Sequence, residues 1–270
     1  EVLEIGSSAD LVEQHIRRGG FRPFTAEVIA KELSRPVSEV RGFLDEHLAA
    51  GRLVRFSGPA SWWVIHKQVM EESSKRLLDA LNEFHQSSPH RQGLKRSELA
   101  AKHFGTVDKA LYDAFLDLLV RQGQVAIAGE IVYRHGHQIQ FTAQQEALVK
   151  RTLQIYWDAA FVTPEFEELV EQLGEPAEQV RRIISGLADR GEMMELGIAV
   201  GRALLFHAGR IEEARGIILN LFEGKAEIAF FEVREALNST RKFTTPILNY
   251  FDQIGLTVRV GETRKLKSRA

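Results

Sequence analysis

Four glycines at nearly even spacing constrain this chain more than any other feature. Each closes an amphipathic helical pattern and is followed at once by β-rich sequence: Gly51 in Ala-Ala-Gly-Arg-Leu-Val, Gly123 in Arg-Gln-Gly-Gln-Val-Ala, Gly191 in Asp-Arg-Gly-Glu-Met-Met and Gly255 in Gln-Ile-Gly-Leu-Thr-Val. The intervals are 72, 68 and 64 residues. Glycine supplies the left-handed backbone that ends a helix, so regular stops of this kind mean that one small supersecondary plan recurs along the chain. A chain of 270 residues holds four copies of it comfortably.

Each copy reads as three helices and a hairpin. In the first, Ala9 to Arg18, Ala26 to Leu33 and a stretch opened by Pro36-Val37 and running to Ala50 have helical periodicity; strands follow at Leu53 to Phe56 and Trp62 to Ile65, around a turn at Ser57-Gly58-Pro59. The second has helices at Glu71 to His85, Lys95 to His103 and Val107 to Gln122, then a hairpin from Gln124 to Arg134 turning at Ala128-Gly129-Glu130. In the third, Thr142 and Gln145 form a capping box for a helix to Asp158, Thr163-Pro164 and Pro176 open two more, and Met193 to Phe206 make a hairpin with turn glycines Gly197 and Gly201. The fourth has Ile211 to Phe222, Phe230 to Leu237, and a helix capped by Ser239 or Thr240 whose apolar positions are Phe243, Ile247, Leu248, Phe251 and Ile254. After Gly255, Leu256, Val258 and Val260 alternate with polar residues, Gly261-Glu262 turns the chain, and a short strand with Leu266 returns.

Helix-turn-helix followed by a hairpin is the winged-helix plan. The predicted fold is therefore mainly α with small β-hairpins (α+β), as four tandem winged-helix modules at 1–66, 67–137, 138–208 and 209–270. The seams, at Lys67, Gly136-His137-Gln138 and Ala208-Gly209, are short, which predicts modules packed as a rod with limited bending.

Several function classes drop out on composition. With 44% hydrophobic and 27% charged residues the chain is a folded one, and the absence of cysteine excludes disulfides and thiolate zinc fingers. No apolar run approaches membrane-spanning length and no signal-peptide pattern opens the chain, so the expectation is a cytoplasmic protein without a membrane partner. The first residue is Glu1, as in a piece of a longer protein. Phosphate-binding loops, dinucleotide fingerprints, His-Glu-x-x-His and Gly-x-Ser-x-Gly are all missing, so the chain is expected not to be an enzyme. His135 and His137 lack a third ligand at recognisable spacing and read as surface histidines rather than a metal site. Trp62, Trp63 and Trp157 read as packing residues with one of the neighbouring pair turned outward; Phe230 and Phe231 read as core. The acidic run from Glu165 to Glu171 reads as a solvated helix face, which makes the third module a poor nucleic-acid surface.

The fourth module differs in charge. From Ser239 onward seven basic residues (Arg241, Lys242, Arg259, Arg264, Lys265, Lys267 and Arg269) face two acidic ones (Asp252 and Glu262), a local excess of +5 in a chain of net −2. Arg241 and Lys242 lie in the first turn of a helix, where cations oppose the helix dipole at a cost of roughly 0.3 to 1 kcal/mol each. Stability alone favours acidic residues there, so the pair points to an anionic partner. Strand-edge cations such as Lys265 also have a purely protective use against edge-to-edge pairing. The candidate contacts are thus Ser239, Thr240, Arg241, Lys242, Arg259, Arg264, Lys265 and Lys267, placed at a helix start and a hairpin from which phosphates can be reached.

The segment from Phe230 to Arg264, which includes Leu237-Asn238-Ser239-Thr240-Arg241-Lys242-Phe243 and Leu248-Asn249-Tyr250-Phe251-Asp252, resembles the last winged helix of bacterial SelB, the selenocysteine-specific elongation factor. That family carries a phrase close to Ser-Arg-Lys-Tyr and, in its wing, one close to Thr-Arg-Arg-x-Gly-Asp-x-Arg; here Phe243 replaces the usual Tyr, Val258 an Arg and Glu262 an Asp. The resemblance implies the mRNA-binding part of a translation elongation factor that recognises the selenocysteine insertion (SECIS) hairpin beside UGA. Arg241 and Lys242 would meet the hairpin, flanked by Ser239, Thr240, Arg259 and Arg264. It further implies a monomer acting with the ribosome, and no cofactor in these residues, since GTP and Mg belong to a GTPase portion outside them. The alternatives are a winged-helix protein–protein scaffold and a DNA-binding transcriptional regulator.

Overall fold

The structure, a computed structural model, describes residues 8–57, 62–199 and 202–267. Part of the Ser57-Gly58-Pro59 turn, Gly201 and Arg269 lie outside the described residues.

The helix-helix-helix-hairpin order recurs four times. The first module runs α1 (Ser8–Arg18), α2 (Ala26–Glu32), α3 (Val37–Ala49), β1 (Leu53–Ser57) and β2 (Trp62–His66). The second is α4 (Lys67–Ser87), β3 (Leu94–Lys95), α5 (Arg96–Phe104), α6 (Lys109–Arg121), β4 (Val125–Ala128) and β5 (Ile131–Arg134). The third is α7 (Ala143–Asp158), α8 (Phe166–Leu173), α9 (Ala177–Asp189), β6 (Met193–Ala199) and β7 (Arg202–His207). The fourth is α10 (Ala208–Leu221), β8 (Ile228–Ala229), α11 (Phe230–Ala236), α12 (Arg241–Gln253), β9 (Thr257–Val260) and β10 (Thr263–Leu266).

The four spaced glycines do what their spacing predicts. Gly51, Gly123, Gly191 and Gly255 have φ of +66°, +66°, +72° and +77°, backbone that L side chains rarely adopt, and each turns the chain from the third helix of its module into the hairpin. The capping box at α7 is also present: Thr142 Oγ1 accepts the Gln145 N–H at 3.2 Å and Gln145 Oε1 accepts the Thr142 N–H at 2.9 Å. Two orphan amides are satisfied, a contribution of about 1 kcal/mol to the helix start.

Two short strands escape the sequence pattern. β3 and β8, of two residues each, pair with β5 and β10, giving the second and fourth modules three-stranded sheets in the orders β3-β5-β4 and β8-β10-β9. In the first module the same place is held by a single bridge, Phe24 to Val64. Two residues are too few to show a period of two.

The chain divides into two compact units, one from the first two modules apart from Pro89–Arg91, which group with the other unit, and one from the last two. Within each unit the hairpin of one module enters the core of the next: Phe56, Trp63 and Ile65 cluster with Leu77, Leu81 and Phe115, and Leu196, Leu204 and Phe206 cluster with Ile218, Ile247 and Phe251. Of the neighbouring tryptophans, Trp63 is buried and Trp62 stands half-exposed under the Arg55 guanidinium. The joints inside the units have no linker. β2 ends at His66 and α4 begins at Lys67; β7 ends at His207 and α10 begins at Ala208. In both, the histidine caps the helix, with Nδ1 accepting the Gln68 N–H at 3.2 Å and the Gly209 N–H at 3.0 Å. Lys67 and Ala208-Gly209 are thus helix starts rather than connectors.

Candidate nucleic-acid interface

The fourth module's site begins at the start of α12. Phe243, Thr244, Ile247, Leu248 and Phe251 form its buried stripe, whereas Ile254, expected in that stripe, is 53% exposed because the helix has already ended at Gln253. Pro246 lies inside the helix, where it removes one backbone hydrogen bond. It packs instead against the third module: a Cβ placed on Gly197, at the bulge of β6, would come within 2.8 Å of the Pro246 Cβ. Gly197 therefore sits in a strand bulge rather than a turn, and its missing side chain admits α12.

The residues before and at the helix start are held by the segment linking α7 to α8. Ser239 Oγ donates to the Phe161 carbonyl at 2.8 Å, and Lys242 Nζ donates to Glu165 Oε1 at 2.7 Å. Thr240 is the N-cap and is exposed, with no side-chain bond to the helix amides. Arg241 is exposed; its guanidinium lies over the Phe230 ring, 5.8 Å from the centroid, and among the described residues it pairs with no carboxylate. Beside Lys242, a groove lined by Asp158, Glu165, Glu168, Glu171 and Val162 is acidic. Phosphate is therefore repelled from one flank of α12.

The hairpin does not present its cations as the sequence suggested. β10 is the central strand, paired with Ala229 and Ile228 on one side and with β9 on the other. Residues opposite each other share a face, so Arg264, Arg259 and Ile228 point one way while Val258, Lys265, Val260 and Thr263 point the other. Ile228, Thr257 and Arg264 are buried, which makes their face the inner one although Arg259 on it reaches past the core and stays exposed, and Val258 and Val260 are 43% exposed, the reverse of the alternation predicted for them. Arg264 goes inward with Ile228. Its side chain is 6% exposed and its Nε donates to Asp252 Oδ2 at 3.1 Å, while Asp252 Oδ1 also accepts the Thr257 hydroxyl.

Arg264 as a nucleic-acid contact is thus corrected: it is a buried ion pair that ties the hairpin to the end of α12. The other cations are accessible but partnered. Lys265 pairs with Glu227 at 3.0 Å, and Arg259 donates to the Gly261 carbonyl at 3.0 Å with Glu262 at 3.8 Å. Hydrogen bonds from the Thr263 hydroxyl, then Lys265, hold the Glu227 carboxyl below the usual range. Lys267 is exposed beside Gly255. Exposed ion pairs contribute only about 0 to 1 kcal/mol, so a phosphate can displace Glu165, Glu227 or Glu262 cheaply. Removing Arg264 from Asp252 is a different matter, because it would leave a half-buried carboxylate without its charged partner. Asp252 is eleven residues beyond Arg241, so about 16 Å of helix separates the hairpin's buried ion pair from the basic helix start.

Elsewhere, Phe231 is not core: it is 56% exposed. His137 is half-buried, its ring stacked on His85 with centroids 3.6 Å apart, and burial and then His137 lower the His85 pKa to about 4. Among the described residues no group of three or more His, Cys, Asp or Glu is placed to hold a metal ion, and no helix is long and apolar enough to cross a membrane.

Comparison with known proteins meets this geometry in two of the modules. Two family models, each described as elongation factor SelB, winged helix, match residues 78–133 and 220–266, the second of which spans α11, α12 and the hairpin just described. Both stretches are therefore similar to SelB winged helices. Relatives of the same kind are the selenocysteine-specific elongation factors of Desulfomicrobium baculatum, 27% identical over 201 residues, and of Haemophilus influenzae, 24% identical over 243 residues. These alignments cover 74% and 84% of this chain and 31% and 35% of the relatives, so the chain spans about a third of the SelB proteins it matches. Among solved structures, the mRNA-binding domain of Escherichia coli SelB in complex with SECIS RNA aligns with 47% of this chain and all of that one, at 24% identity and a TM-score of 0.39. A bacterial selenocysteine-specific elongation factor aligns with 79% of this chain and 32% of its own, at 18% identity and a TM-score of 0.41.

Proposed function

We propose that the fourth module grips a folded hairpin of messenger RNA, as the mRNA-binding part of a selenocysteine-specific elongation factor whose hairpin is the SECIS element. The observation that carries this reading is Arg241: an exposed guanidinium at a helix start, unpaired with any carboxylate among the described residues, inside a segment matched as a SelB winged helix. A cation there opposes the helix dipole; a phosphate brought to the same place satisfies both the cation and the exposed amides of the helix start. Lys242, Arg259, Lys265 and Lys267 are the further phosphate contacts on this reading, with Thr240 as a polar neighbour. Ser239, bonded to Phe161, and Arg264, bonded to Asp252, position them. The interaction needs no cofactor and no catalytic step, and the chain acts as a monomer in company with the ribosome.

Titration of the chain with a SECIS-type RNA stem-loop, a scrambled RNA and a duplex DNA, each at two salt concentrations, tests the proposal. Preferred binding of the stem-loop is expected, weakening with a log–log salt slope of about 0.7 to 0.9 per phosphate neutralised. Equal weak binding to all three would overturn it, and preference for the duplex DNA would replace it with the regulator reading.

A further inference from the structure

The second helix of every module is entered in the same way, which makes one position a comparison built into the chain. The N-cap residues are Thr25, Lys95, Glu165 and Ala229, so the second helical residues are Glu27, Ser97, Glu167 and Phe231. All four are exposed. Three are polar, as an outward position of a soluble helix demands. The fourth is a phenyl ring, 56% exposed, the most exposed of the large hydrophobic residues described.

The core gains nothing from this ring. Phe230, Val233 and Leu237 already form the inner stripe of α11, and Phe231 lies about 100° round the helix from Phe230. The Glu232 carboxylate accepts the Ala229 N–H at 2.7 Å and is ion-paired with Lys225, so the helix start is satisfied without any help from residue 231. Its surroundings carry both signs: Glu235 stands one turn along α11, 3.8 Å from Arg234, while the cations of the helix start lie toward α12. The neighbouring Phe230 ring lies under the Arg241 guanidinium, and Arg234 stands one turn further along α11 from Phe231. An exposed aromatic ring one turn from the Arg234 guanidinium and next to the residue under Arg241 fits an unpaired nucleobase: the base stacks on the ring while the arginines meet its phosphates. A base-paired stem has no free face to offer.

We propose that Phe231 is a stacking platform for an unpaired base of the RNA held by the fourth module. This rests on the RNA reading above, and it adds to the phosphate grip an uncharged contact that distinguishes loops and bulges from paired stem.

The test uses the whole chain and three RNA probes, a SECIS-type stem-loop, a fully paired RNA duplex of the same stem sequence and a scrambled RNA. Phe231→Ala is expected to weaken stem-loop binding by about tenfold, to leave duplex binding and the salt slope as in the unaltered chain, and to leave thermal unfolding unchanged. Phe231→Trp is expected to retain or tighten binding. With 2-aminopurine at successive unpaired positions of the stem-loop, one position is expected to be quenched by the unaltered chain and not by Phe231→Ala. Unaltered stem-loop affinity in Phe231→Ala, or an equal loss on stem-loop and duplex, would overturn the stacking role while leaving the phosphate grip standing. Failure of the unaltered chain to prefer the stem-loop over scrambled RNA would overturn the underlying RNA reading itself.

Discussion

The third and fourth modules share three helices and a hairpin in the same order and differ in surface charge. Residues 138–208 hold six basic and eleven acidic residues, a net −5, whereas residues 209–270 hold eleven basic and eight acidic, a net +3. The difference concentrates at equivalent places. α9 carries Glu178 in its first turn, where an acid complements the helix dipole; α12 carries Arg241 and Lys242 there and no acid. At the second residue of the preceding helix stand Glu167 and Phe231. Apolar positions make the fold in both cases: Leu169, Leu173, Val180, Ile183 and Leu187 in one, Val233, Leu237, Ile247, Leu248 and Phe251 in the other. The same helices and hairpin thus carry opposite surface charge in the two modules, and only side chains that the core does not need tell them apart.

The largest expected effect separates support from grip inside the fourth module itself. Arg264→Met is expected to leave the half-buried Asp252 carboxylate, 22% exposed, without its charged partner and to lower unfolding free energy by about 1.5 to 3 kcal/mol, read from the denaturant midpoint. A loss below about 1 kcal/mol would return Arg264 to the surface set. Next, Arg241→Ala with Lys242→Ala is expected to weaken stem-loop binding more than tenfold with the melting temperature nearly unchanged, whereas Arg181→Ala with Arg182→Ala in the third module leaves binding as it was. Equal losses from the two pairs would erase the contrast between the modules. Smaller still is the effect of Glu165→Gln. Freed from its partner 2.7 Å away, Lys242 is expected to gain a few-fold in RNA affinity and to steepen the salt slope, as measured by titration at several ionic strengths. Weaker binding instead would make Glu165 a necessary tether of the helix start.

A separate test of stability, outside the comparison of the two modules, lies in the other unit. His85 has a folded pKa of about 4, lowered by burial. Between that value and its ordinary pKa of about 6.5 the unfolded chain binds the extra proton. Stability from this group is therefore full above the ordinary value and is lost as pH falls toward the folded one. His85→Gln is expected to flatten the pH dependence of the denaturation midpoint between these limits.

What was legible in the sequence follows from what the core requires. Helices, glycine stops and the Thr142 capping box could be read because each depends on residues within one turn of the chain. The inward and outward faces of the last hairpin could not. Val258 and Val260 alternate as core residues do, but the core face of β10 is set by its pairing with β8, a two-residue strand far upstream whose Ile228 stands opposite Arg264 and which is too short to recognise. Arg264 was read as a surface cation for the same reason, since nothing local reports that Asp252 receives it. The location of the basic helix start was legible, because Arg241 and Lys242 violate a local electrostatic preference. Phe231 was missed although a signal existed: aligned on their helix starts, the four modules place Glu27, Ser97 and Glu167 where it stands.

The claim that Arg241 forms the centre of a phosphate grip is tested most directly by the salt dependence of stem-loop binding for the unaltered chain and for Arg241→Ala. The account predicts a slope reduced by about 0.7 to 0.9 together with lower affinity at every ionic strength. An unchanged slope, with affinity equal to that of the unaltered chain, would contradict it.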